Sequence, residues 1–147
     1  MFKEGLSVNG SSDMKLLNYK VIKTYFQLND NFEFKNKNIN INPEFTRDFT
    51  KINDDVFKLT LSVQIFENKQ NVNIPFFAEA VISAEFNLKN WENDDFKAIT
   101  KDNTTAILFP YLRNILSSVT MNGNVPPYTL PIMNISKLFN DQEMQQE

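Results

Sequence analysis

The 147-residue sequence contains no cysteine and no histidine. The first absence removes disulfides, thiolate nucleophiles and sulfur-ligated metals, and suits a reducing cytosol. The second removes the commonest general base and metal ligand, so a nucleophilic serine would have to rely on the rarer lysine partner, and no motif supports that arrangement. The three glycines, Gly5, Gly10 and Gly123, stand too far apart to form a phosphate-cradling loop. No apolar run approaches the roughly 20 residues of a membrane span, and Met1 to Asp13 carries no apolar segment of the kind a signal peptide needs. Positive charge is not in excess either. Fifteen Lys and Arg face 18 Asp and Glu, a net charge of −3 that argues against a nucleic-acid footprint. Asp54-Asp55 and Asp94-Asp95 are the only paired carboxylates. Sequence neighbours point different ways and both pairs fall where turns or helix starts are expected, so solvated turn or cap acids are favoured over a metal or acid/base role. An enzyme is not expected, no cofactor or metal is implied, and the reading is a cytoplasmic protein without a membrane span.

Aromatic residues are plentiful. They make up 13% of the chain, with 14 phenylalanines, in a composition that is 41% hydrophobic and 22% charged. A chain of this length buries roughly two-thirds of its extended surface as one domain. Much of the phenylalanine is core, and surplus rings commonly sit at interfaces. Residues 1–14 read as a flexible leader, 15–139 as a single domain and 140–147 as a polar tail.

Lys15 to Leu28 is rich in β-branched and aromatic residues with imperfect alternation, which predicts a long strand, possible bulges included. Phe32 to Pro43 is Asn-rich and reads as a crossover loop, and Phe45 to Phe49 as a short strand. Phe57, Leu59, Leu61, Val63 and Ile65 alternate with polar residues over nine positions, the most secure strand in the chain. A polar loop at Glu67 to Asn71 then leads to Ile74, Phe76, Ala78, Ala80, Ile82, Ala84 and Phe86, and the two runs predict an antiparallel hairpin. The opposite side of its second strand carries Phe77, Glu79, Val81, Ser83 and Glu85, two large apolar groups beside two carboxylates. Two readings stay open for it: cover by an edge or loop, or burial in an oligomer interface or partner-docking face.

Trp91 to Ile99 suggests a short helix, followed by a main helix whose apolar stripe is Leu108, Leu112, Ile115, Leu116 and Val119. Asn103 or Thr104 would cap that helix and leave Pro110 inside it; a start near Phe109 is the alternative. Gly123 marks its end, where glycine takes a left-handed conformation without steric cost. Pro126, Pro127 and Pro131 then impose a stiff extended arm. Asn134 offers an N-cap for a last helix from about Ile135, with Leu138 and Phe139 as its apolar contacts.

The order Leu108-Phe109-Pro110-Tyr111-x-Arg113, then Gly123, Pro126, Leu130, Asn134, Leu138 and Phe139, resembles the C-terminal third of SecB-type export chaperones. Asp54-Asp55-Val56-Phe57 and Pro43-Glu44 also look like that family, while the first forty residues align only loosely. The resemblance implies an α+β fold, a four-stranded antiparallel sheet with helices packed on one face, assembled as a homotetramer, a dimer of dimers. It implies a chaperone that holds unfolded precursors in surface hydrophobic grooves and delivers them to the SecA motor for translocation. By matching position, client-binding residues would be Phe45 and Phe49 on the short strand with Tyr128, Leu130 and Leu138 beyond the helix, and Glu79 would lie on the motor-docking face. Arg47 departs from the pattern, since the family has an apolar residue there. Pro127 and Pro131 change the arm, and the last helix turns polar at Asn140.

From the residues alone, a non-enzymatic acidic domain with surplus aromatics and a proline-stiffened arm is a peptide-binding protein: proline pre-orders the arm and keeps an apolar groove from collapsing. Two alternatives remain. One is a SecB-like chaperone dedicated to a single client such as an antitoxin, the other an oligomeric scaffold without client binding.

Overall fold

The computed structural model describes residues 14–32, 41–66, 74–123, 130 and 134–139. The predicted leader up to residue 13, most of the proline arm and the tail therefore lie outside the described residues, while Met14, at the leader's end, is buried in the core. Four strands are present: β1 (Lys15–Leu28), β2 (Glu44–Lys51), β3 (Val56–Ile65) and β4 (Phe76–Asn87). They form one antiparallel sheet in the order β1-β4-β3-β2, so the connection from β1 to β2 joins its two edges. One long helix, α1 (Lys97–Asn122), covers one face, and a helical turn spans 135–139.

The alternation in β3 and β4 produces this layering. Phe57, Leu59, Leu61, Val63 and Ile65 are fully buried, and so are Ala78, Ala80, Ile82, Ala84 and Phe86 opposite them. Because strand side chains alternate with period two, all ten stand on the α1 side. α1 answers with Leu108, Leu112 and Leu116, all without solvent exposure. Small alanines on β4 let the helix approach, while the larger β3 residues fill the flank. The helix also buries Thr100, Thr104, Thr105 and Thr120. Each hydroxyl donates to the carbonyl four residues earlier, at 2.7–3.1 Å, so none of these four buried hydroxyls is left unmet.

The two ends of the sheet are closed differently. At one, Trp91 lies 4.6 Å from the Phe57 ring, and its indole N–H donates to the Asn53 carbonyl in the β2–β3 turn. Asp55 there accepts from the Asn90 amide, and its own carbonyl accepts from Leu88. The Asp54-Asp55 pair thus has the expected turn role. At the other end, Phe26 of β1 stacks on Phe76 and occupies the space beside Gly123.

Several expectations need correction. The separate short helix does not form: Trp91 to Phe96 is a series of turns in which the Asn93 carboxamide accepts from Asp95, and a single helix begins at Lys97. Asn103 and Thr104 therefore do not cap the main helix but lie within it, where the Thr104 hydroxyl bonds back to Thr100. Pro110 does sit inside α1. Both it and Ala106, whose carbonyl loses its usual partner, are exposed, so water can satisfy that carbonyl. Gly123 ends the helix, but its φ is −78° rather than positive. Glycine is required for space: a Cβ there would run into the Phe26 ring. Gly123→Ala should cost about 1–3 kcal/mol through overpacking, and Leu112→Ala about 2–5 kcal/mol through the cavity it leaves. Urea denaturation with unchanged slope would check both.

Candidate functional site

The core-facing side of edge strand β2 carries Phe45, Arg47 and Phe49, opposite Val63, Leu61 and Leu59. Phe45 is 3% exposed and lies between the rings of Phe109 on α1, at 5.5 Å, and Phe139, at 6.2 Å. Phe49 is half-buried, beside Phe57 at 6.0 Å and with the Lys101 ammonium 5.3 Å from its centroid. The Arg47 guanidinium lies 4.7 Å from the Phe139 centroid and pairs with Asp102 on α1 at 2.9 Å. Asn134 caps the turn at 135–139 as expected, its side chain accepting from the Lys137 amide at 3.0 Å. Phe139 is the anchor of that turn, almost wholly enclosed, while Ile135 and Leu138 are half-buried. An aromatic seam thus runs where β2, the first half of α1 and the C-terminal turn meet.

Of the client-binding residues carried over by resemblance, Phe49 and Leu138 keep access to solvent at this seam. Phe45 and Leu130 belong to the interior, with Leu130 fully buried. Tyr128 lies outside the described residues. The opposite face of the sheet holds Phe77, Glu79, Val81 and Glu85. Phe77 is covered by the Tyr25 ring at 5.4 Å and is only 7% exposed, while Val81 and Glu85 are half-buried. Glu79 accepts from the Gln64 amide at 3.0 Å and pairs with Lys23 at 2.6 Å. These partners, Gln64 foremost and then Lys23, hold its carboxyl below the ordinary glutamate range and outweigh the opposing effect of burial.

Two features escaped the sequence reading. The first is the partner of Arg47: nothing local to Asp102, 55 residues away, announces an ion pair. The second is the exposed apolar surface of β1, where Leu17, Val21, Ile22, Tyr25 and Leu28 are 37–58% exposed on an edge strand of the sheet. Leu17 and Ile22 fall at the two register shifts, between Leu16 and Asn18 and between Val21 and Lys23. The imperfect alternation of LLNYKVIKTY was their signature. Among the described residues no cluster of metal-ligating side chains occurs, and no helix is long and apolar enough to cross a membrane.

A sheet of this order, backed by one long helix with an aromatic seam at its edge, defines the SecB-like class of α+β fold. The SecB-like chaperone of Mycobacterium tuberculosis, solved in complex with an antitoxin peptide, superposes with a TM-score of 0.64 at 17% identity, over 82% of this chain and 90% of that one. The chain belongs to the SecB family: the family model described as preprotein translocase subunit SecB matches residues 27–147. An uncharacterised protein of Methanocaldococcus jannaschii is 29% identical over 138 residues, 91% of this chain and 88% of that protein. The protein-export protein SecB of Magnetococcus marinus is 29% identical over 96 residues, 65% of this chain and 61% of that relative, so the match spans less than two-thirds of its length.

The Glu79 network makes a pH prediction. A carboxylate with a depressed folded pKa adds stability above its unfolded value, about 4.3, and loses that contribution as pH falls through the folded value. Glu79→Gln should therefore be less stable than the parent at pH 7, and the difference should close on acidification. Urea midpoints of both proteins between pH 7 and pH 3 test this.

Proposed function

We propose that this protein is a holdase: it captures unfolded or precursor polypeptides on the seam between β2, α1 and the turn at 135–139, and hands them on for export. The observation that carries this reading is the partly exposed pair Phe49 and Leu138 beside an enclosed aromatic cluster. An extended chain lying there would bury its side chains at roughly 25 cal/mol per Å², before ordering costs, with little demand on sequence. Family membership supports the same role, since relatives carry the name protein-export protein SecB. Tyr128 is a further client contact on the strength of the family resemblance alone. The protein acts without catalysis, in the cytoplasm.

A second reading, a chaperone dedicated to one client, draws support from two observations. The structural neighbour from M. tuberculosis is bound to an antitoxin peptide. Here, moreover, Glu79, the carboxylate that would face the SecA motor, is already engaged by Lys23 and Gln64. A basic docking element would have to displace both. Motor docking at Glu79, Val81 and Glu85 is thus the weaker part of the export role.

The working form is a homo-oligomer, a dimer of dimers. An edge strand of 14 residues with five exposed apolar side chains offers both an edge for strand pairing and greasy surface to a second copy. A scaffold that only oligomerises would share this feature, and the experiments below separate the two.

Purified protein should suppress aggregation of several unrelated denatured proteins; protection of a single partner would favour the dedicated reading. Phe49→Ala and Leu138→Ala should each weaken that protection several-fold while shifting the urea midpoint little, because both side chains are only half-buried. Equal protection by parent and variants would remove the seam from the mechanism, and no protection by the parent would leave only the scaffold. Light scattering should give a mass that is a multiple of 17.1 kDa, and Val21→Asp with Ile22→Asp should lower it.

A further inference from the structure

Between the two phenylalanines of β2 stands a cation on the core side of the sheet. The Arg47 side chain is 3% exposed and its partner Asp102 22%. A charge so placed is costly unless it is paired and hydrogen-bonded. Arg47 is paired and hydrogen-bonded across the seam through one terminal nitrogen, which donates to Asp102 at 2.9 Å and to the Thr105 hydroxyl at 3.2 Å, while its guanidinium carbon lies 4.7 Å over the Phe139 ring. One side chain therefore ties together three separate pieces of chain: the edge strand, the first half of α1 and the C-terminal turn.

The turn depends on that tie. Five residues are too few to hold a helix in water, so its position depends on packing: Phe139, its most buried residue, docks between Phe45 and Arg47, with Ile135 and Leu138 partly packed on the core. We infer that Arg47 and Asp102 form a latch that sets the opening of the client seam. With the pair made, the guanidinium holds Phe139 in place and the turn lies over Phe45. With the pair broken, the guanidinium moves to water, Phe139 loses one wall of its pocket, and the turn swings clear. An incoming client side chain can then take the place of Phe139 against Phe45. The inference rests on the holdase reading for its cargo, but not for the motion.

The latch makes affinity depend on how often the seam is open, because apparent affinity scales with the competent fraction. If about one molecule in ten is open, breaking the latch raises affinity up to about tenfold. This is opposite to what damage to a binding residue would do. The test uses Asp102→Asn, which keeps shape but removes the charge, and Arg47→Ala, which removes the wall; the second serves should the first fail to fold. Two measurements are made on each: hydrogen exchange of the 135–139 amides, and affinity for reduced, carboxymethylated lactalbumin as a permanently unfolded probe. Faster exchange confined to 135–139 together with tighter probe binding is the expected result. Exchange at the parent's rate in both variants, or faster exchange with unchanged or weaker binding, overturns the latch. If neither parent nor variants bind the probe, the holdase reading fails, and the exchange rates alone still decide whether Arg47 holds the turn.

Discussion

A four-stranded sheet has two faces, and among the described residues this chain sets one long helix against them. The rest of the structure follows from that inequality. The face beneath α1 takes the alternating phenylalanine, leucine, valine, isoleucine and alanine of β3 and β4 and becomes a dry core. The other face must be kept polar or covered by its own side chains, which is why Tyr25 lies over Phe77 and why Lys23, Gln64 and Glu79 satisfy one another. The helix also cannot span the whole sheet. Its leucines meet the central strands, and the edges β1 and β2 retain apolar groups that are only partly covered. Interaction surface in this molecule is what one helix leaves uncovered.

How much of this was legible in the sequence depends on how local the cause is. β3 reads directly because period-two alternation over nine residues has one interpretation when one face is buried. β1 was recognisable as a strand, and its broken alternation as bulges, because both signals lie within fourteen residues. Asn134 was legible as a cap because its partner, the Lys137 amide, is three residues away. Elsewhere the cause is distant. The start of α1 was misplaced because Asn103 and Thr104 look like caps when viewed alone, whereas Thr104 is a buried threonine bonding back into its own helix. Gly123 was assigned to the right place for the wrong reason, since the ring that excludes a side chain there belongs to Phe26, nearly a hundred residues earlier.

The candidate site divides in the same way. Phe49 and Leu138 were placed by matching motif positions, and the fold brings both to one seam. Phe45 and Leu130 came by the same route and lie inside the protein, because a linear motif records which residues share an element but not how deeply each one sinks. Arg47 stood out as a departure from an apolar pattern. Its accommodation could not be read from the sequence: it needed an aspartate and a threonine presented at the right height by a helix, and an aromatic ring from near the chain's end. Family membership supports export chaperoning, and the arrangement around Arg47 is the geometry this chain brings to the seam.

The irregular spacing in β1 carries a consequence for solubility. An edge strand with exposed apolar side chains risks serving as a seed for fibrils, since a long, evenly spaced border invites endless stacking of further strands. Here the rhythm of donors and acceptors is interrupted twice, at the positions of Leu17 and Ile22. A stranger's strand laid along that border falls out of step within a few residues, whereas a copy bearing the same two interruptions in reverse order has a chance to match them. Two bulges along an edge strand thus make it a poorer template for regular strand addition than an evenly paired one.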